Sequence, residues 1–233
     1  ADRWFPAPIT LATTPGEHRF IWDLASGAAS ASPDDDDEDA APGGPKVAPG
    51  NYTLRLNVDG SSLDRPLRIV MDPRATATAA VLTQQYALAE SIYAQVLESR
   101  KAMAELESVD SQLKKLAASS NTSEDVRSAV RAAETKLAAI RTGGHTETAP
   151  GLAEAASGLG TVLRIVESGD REAPASALAI FAQMKKASAD DIAAWHRFKT
   201  ADLTTLNNAL TAAHREPIHI AAIEEEVHYA MTR

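Results

Sequence analysis

The chain has 233 residues, 44% of them hydrophobic but only 5% aromatic, with a formal net charge of -9 and a pI near 5.2. That acidic balance argues against nucleic acid or an anionic membrane as partner, because both are held by clustered Lys and Arg. The absence of cysteine excludes disulfides and thiolate metal or redox sites, and no apolar run is long enough to span a bilayer.

The pattern changes near MDPRATA, residues 71–77. Before it, apolar residues alternate two by two between Gly and Pro breaks, and four strands are expected. The first, around Ile9 to Ala12, is short. The second is HRFIWDL, His18 to Leu24, with Phe20 and Trp22 on one face. The third is NYTLRLNVDG, in which Tyr52, Leu54, Leu56 and Val58 share a face and Asp59-Gly60 makes the turn. The fourth is SLDRPLRIVMD, where Pro66 implies an edge position or a bulge. Between the second and third strands the composition shifts to Ala, Ser, Gly and Pro around an acidic run, Asp34 to Asp39. The run lacks the alternating ligands and central glycine of a calcium-binding EF-hand loop, and its composition is that of a solvated, flexible loop.

After residue 74 the period is helical. A long first helix, from about Ala75 to Ala118, carries the seam Leu82, Ala89, Ile92, Val96, Met103, Leu106 and Leu113, with Gln85, Ser99 and Asp110 in its polar gaps. Ser123 caps a second helix with the seam Val126, Val130, Ala133, Leu137 and Ile140, which ends at Gly143 and Gly144. A third helix carries Leu152, Ala156, Leu159, Leu163 and Val166. Pro174 opens a fourth with the seam Leu178, Phe181, Met184, Ile192, Trp195, Leu203, Leu206 and Leu210. Two long helices flanking two shorter ones imply an antiparallel four-helix bundle. Beyond Pro217 the chain reads as a last short helix or a tail.

Three blocks in this order, GEHRFIWDL, PGNYTLRLNVDGSSLDRPLRIVMDPRA, and a long helix followed by AWHRFKTADLTTLNNAL, resemble a known arrangement. It is the C-terminal region of secreted bacterial proteins with sortilin-like or BNR-repeat β-propellers, many of them labelled glycosyl hydrolases. The resemblance extends from about Trp4 to about Leu210. It implies an α+β chain: an Ig-like β module over residues 1–73, with a flexible loop at 25–49, then a helical bundle over 74–215 and a tail at 216–233. It also implies an extracytoplasmic location, and a partner that is the propeller portion or another copy of this chain. An Ig-type sandwich needs about seven strands. With four, the module is expected to be partial, a C-terminal piece of a larger protein, and to require a cover for its apolar face.

No Ser-His-Asp arrangement, nucleophile elbow or phosphate-binding glycine pattern occurs. Glycosidase carboxylates, if any, belong by the resemblance to the propeller. Glu225 and His228 have the ExxH spacing of di-iron bundles, without the second ExxH such a site needs; His214 and His219 are nearby in sequence. No cofactor is expected. Phe20 and Trp22 are the expected anchors of the sheet, and Trp195 and Phe198 those of the bundle or of a contact between modules. The leading reading is a non-catalytic structural and interaction module. The alternatives are an accessory subunit of a propeller-type hydrolase whose active site is elsewhere, and a metal-binding bundle.

Overall fold

The computed structural model describes residues 14–26, 44–119, 123–143 and 150–220. The fold is mixed α+β and mostly helical, with one two-stranded antiparallel sheet. The elements are β1 (Gly50–Val58), β2 (Ser61–Ile69), α1 (Ala79–Ala117), α2 (Glu124–Thr142), α3 (Leu152–Val166), α4 (Ala175–Arg197), a π-helical turn (Phe198–Asp202) and α5 (Leu203–Ala212). The expected strand at Ile9 to Ala12, the acidic run and residues 221–233 lie outside the described residues.

The described residues fall into two compact units. One, here the helical unit, comprises residues 94–161 and 179–220; the other, the hairpin unit, comprises 14–93 and 162–178.

In the helical unit, α2 shows how pattern becomes packing. Ser123 has an extended backbone, and its hydroxyl accepts the Val126 N–H, satisfying one of the free donors of the first turn. Glu124 and Asp125 sit where the helix dipole favours negative charge. Val126, Val130, Ala133, Leu137 and Ile140, in alternating steps of four and three, are all buried. From α1, Val96, Met103, Leu106, Val109 and Leu113 are buried as well. Ser99 and Ser188 are fully buried and their hydroxyls lie 2.7 Å apart, tying α1 to α4. Gly158, inside α3, admits the Met184 side chain: a Cβ there would stand 2.7 Å from the Met184 sulfur. The glycine costs helix propensity but permits this close approach.

The expected fourth helix is not a uniform α-helix, because its seam changes step. Ile192, Trp195 and Phe198 are buried in α4 and at the start of the π turn, and Leu203, Leu206 and Leu210 in α5. From Phe198 to Leu203 is a step of five, which in α geometry would swing Leu203 away from the seam. The π turn closes on i→i+5 bonds, as the Leu203 N–H does onto the Phe198 carbonyl, and so absorbs the extra residue. The start of the helix also departs from expectation: Leu178 is 45% exposed, and Ala177 is the buried residue there.

The sheet is smaller than expected. His18 to Leu24 forms no strand. Asp23 Oδ1 accepts the Ala25 N–H at 2.9 Å, the indole N–H of Trp22 donates to the Ala25 carbonyl, and Leu24 adopts a left-handed φ of 68°. An Asx-type turn therefore takes the end of the segment, leaving only an isolated bridge between Ala25 and Lys46. Pro66 sits in an unbroken ladder opposite Thr53, so it marks an edge and not a bulge.

Deleting Ala201, exposed within the π turn, restores a four-residue step from Phe198 to the next seam residue and should preserve cooperative unfolding. Deleting Ala193, exposed within regular α4, rotates all that follows by about 100° and should abolish it. Thermal melts followed by circular dichroism distinguish the two.

Candidate interaction site

The hairpin has two unlike faces. Asp59 and Gly60, with φ of 48° and 78°, form the two-residue turn that the DG pair implied. The register places Asn51 opposite Arg68, Thr53 opposite Pro66, Arg55 opposite Asp64 and Asn57 opposite Ser62 on one face. That face is internally paired. Arg55 binds Asp64 through two parallel contacts of 2.7 and 2.8 Å, and Ser62 donates to Asn57. The Arg55 guanidinium holds the Asp64 carboxyl below the usual carboxylate range.

The other face pairs Tyr52 with Leu67, Leu54 with Arg65, Leu56 with Leu63 and Val58 with Ser61. Tyr52 is buried, and its hydroxyl donates to the Ala48 carbonyl. Leu54, Leu56, Val58 and Leu63 are not covered; they are between 43% and 56% exposed, and Leu67 is 36% exposed. Full burial of one such side chain contributes roughly 1.5–3 kcal/mol, so a face this open leaves several kcal/mol of burial unrealised.

The edges differ too. In a two-residue hairpin the closing pair, here Val58 and Ser61, exchanges both backbone bonds, and bonding alternates from there. Asn51, Thr53, Arg55 and Asn57 therefore direct their backbone groups to the outer edge of β1. Pro66, which has no N–H, takes an outward position on β2.

At the base of the hairpin lies a cleft of about 190 Å³. Leu24, Ile69, Val70 and Leu82 contribute apolar wall, while Gln85, Tyr86 and Glu167 are polar. The Gln85 amide donates to the carbonyls of Val166 and Gly169, capping the end of α3. Glu167 accepts the Lys46 N–H at 2.7 Å. Burial pushes the Glu167 carboxyl above its ordinary range, and the contact with Lys46 only partly offsets this. Burial and the Glu90 charge likewise raise the Tyr86 hydroxyl. Neither the cleft nor Glu167 had a signal in the sequence, because its walls come from segments far apart in the chain.

The expected anchors are placed differently from one another. Trp195 and Phe198 are each 1% exposed in the helical unit, stacked with centroids 5.5 Å apart. Glu105 accepts the Trp195 indole N–H at 2.8 Å and the Lys199 ammonium at 2.6 Å, and that ammonium also lies over the Trp195 ring. In the hairpin unit, Phe20 is half exposed and Trp22 partly buried. His214 and His219 are both exposed, and the backbone of His219 is bound by the Gln112 side chain. Glu225 and His228 lie outside the described residues, among which no group of three potential ligands could hold a metal. Asp72 binds Arg74, and Thr78 accepts the Val81 N–H at the start of α1.

No family model matches the chain, and no curated protein or solved structure matches it significantly. Among the described residues no helix is long and apolar enough to cross a membrane.

Two outcomes follow from these contacts. Replacing Glu105 by Ala removes the shared acceptor of Trp195 and Lys199 and should cost about 1–3 kcal/mol, with Gln costing less because it still accepts from the indole; urea denaturation measures both. For Glu167, a folded pKa above the unfolded value means that the bound proton stabilises the fold. That contribution is complete at pH below the ordinary glutamate value and is lost as pH rises through the raised folded value. Relative to Glu167→Gln, the native chain should therefore lose stability across that rise, as denaturation over a pH series would register.

Proposed function

We propose that this chain is a non-catalytic docking module, and that the apolar face of its hairpin is the surface by which it meets a larger assembly. The observation that carries the reading is the exposure of Leu54, Leu56, Val58 and Leu63 on one continuous sheet face, opposite a face where Arg55 pairs with Asp64 and Asn57 with Ser62. Monomeric proteins seldom leave contiguous apolar surface open, and where they do it marks an interaction site.

On this reading the hairpin belongs to a partial Ig-like module whose apolar face the partner covers. The helices α1 to α5 are read as an antiparallel four-helix bundle. The resemblance of the HRFIWDL, PGNYTLRLNVDG and MDPR blocks to the C-terminal region of exported sortilin-like propeller proteins supplies the partner class: the propeller portion of such a protein, in an extracytoplasmic setting. Any glycoside hydrolysis would then belong to the propeller. The absence of nucleophile and paired-carboxylate patterns in the sequence supports a non-catalytic role.

The test is titration of the chain with the propeller polypeptide from the same source, read by calorimetry and by hydrogen exchange over residues 50–69. Binding should slow exchange along the hairpin. The double variant Leu56→Asp, Leu63→Lys, whose opposite charges face each other across the ladder, should weaken it at least tenfold while moving stability by only about 0.5 kcal/mol, as expected for exposed positions. Undiminished binding by that variant, or sugar hydrolysis by the isolated chain, would overturn the proposal.

A further inference from the structure

We infer that the outer edge of β1 is a strand-pairing site for β1 of a second copy of this chain. The inference rests on reading the hairpin as a docking element and names the occupant of its edge, a surface distinct from its apolar face.

Three observations carry it. First, the two edges are unequally protected. β2 presents Pro66, which lacks a donor, together with Asp64 and Arg68 at outward-bonding positions, the devices that keep edges from pairing. β1 presents Asn51, Thr53, Arg55 and Asn57, each with an N–H and a carbonyl directed outward and none of them proline. Second, the segment just before β1 already accepts a chain in an antiparallel bridge, Ala25 with Lys46. The Ser26 N–H donates to the Pro45 carbonyl at 2.7 Å, and the Val47 N–H to the Leu24 carbonyl at 2.8 Å. The turn at Asp23 and Leu24 then ends that pairing, and among the described residues no strand other than β2 pairs with Asn51 to Asn57.

Third, β1 is complementary to itself. Two copies related by a two-fold axis at Leu54 align antiparallel with Thr53 opposite Arg55 and Asn51 opposite Asn57, and each of these pairs exchanges both backbone bonds. On the other face Tyr52 meets Leu56, and Leu54 meets Leu54. No like charges face each other. Centring the pair on Arg55 instead would oppose two guanidinium groups, which is destabilising. The product is a four-stranded sheet in the order β2, β1, β1, β2, with a single continuous apolar face; more than two strands are what an independently stable sheet requires. Because each chain carries a formal charge of -9, added salt should strengthen the pairing by screening the repulsion between copies.

The chain has no cysteine, so a single introduced thiol reports the geometry directly. At the two-fold axis Leu54 faces its own copy in a non-hydrogen-bonded pair with Cα atoms about 4.5 Å apart, a separation a disulfide can bridge. Leu54→Cys should oxidise rapidly to a covalent dimer, whereas Leu63→Cys, on β2 and away from the axis, should not. Analytical ultracentrifugation of the unmodified chain should show a dimer that grows with concentration. Thr53→Pro, which removes an outward N–H and leaves the bonds between β1 and β2 intact, should weaken it at least tenfold, and Thr53→Val should not.

A chain that is monomeric throughout, a dimer indifferent to Thr53→Pro, or equal cross-linking at both thiols would overturn the inference. So would amide protection of Asn51, Thr53, Arg55 and Asn57 that does not vary with concentration, since the chain's own residues would then cover the edge. The docking reading fails separately, through undiminished propeller binding by the doubly substituted apolar face.

Discussion

Two strands have too few side chains to bury a sheet face between them, and that shortage governs the hairpin unit. The polar face of β1 and β2 resolves itself through Arg55 and Asp64, which sit opposite each other in the ladder. The apolar face has no such internal solution, because apolar side chains lose contact with water only when another surface lies on them. Tyr52 alone, close to the base, is buried. Among the described residues only the bridge from Ala25 to Lys46 adds to the pairing of β1 with β2, because the turn at Trp22 to Ala25 claims the backbone there.

The helical unit has the opposite character. The seams of α2 and α5 are buried, and polar residues beside the core find specific partners. Glu105 serves both the indole of Trp195 and the ammonium of Lys199, so the largest aromatic side chain of the core keeps its polar atom satisfied. Asp110, which interrupts the seam of α1, pairs with Lys114 and Arg141. Asp202, in the π turn, pairs with Lys136 on α2. The π turn thus combines a change of register with a side-chain tether to the neighbouring helix.

Much of this was legible before any coordinates. The seams of α1 and α2 are buried at the residues their spacing named, because burial of one helix face is set by a period that the sequence displays. The DG turn and the alternation of β1 were equally plain. HRFIWDL was not: it alternates like a strand, but the Asp23 side chain competes for the backbone through a local turn, and alternation carries no information about that competition. Leu178 was assigned to the seam of α4 by its apolarity, and the neighbouring Ala177 took the place because the helix phase is set further along, at Ser188 and Trp195. The cleft residues Lys46 and Glu167 were invisible, and Gln85 showed only as a polar gap in its seam, since only the fold brings the three together.

The amino-acid sequence therefore determined the helices and their inner faces, the hairpin and its two chemically distinct faces, because each depends on contacts a few residues apart. Tertiary structure decided the rest. Among the described residues it determined that two strands pair, that a π turn joins α4 to α5, and that one face of the hairpin is left exposed. Those outcomes depend on which distant segments reach a given surface, and on whether a local turn claims a strand before its ladder can form.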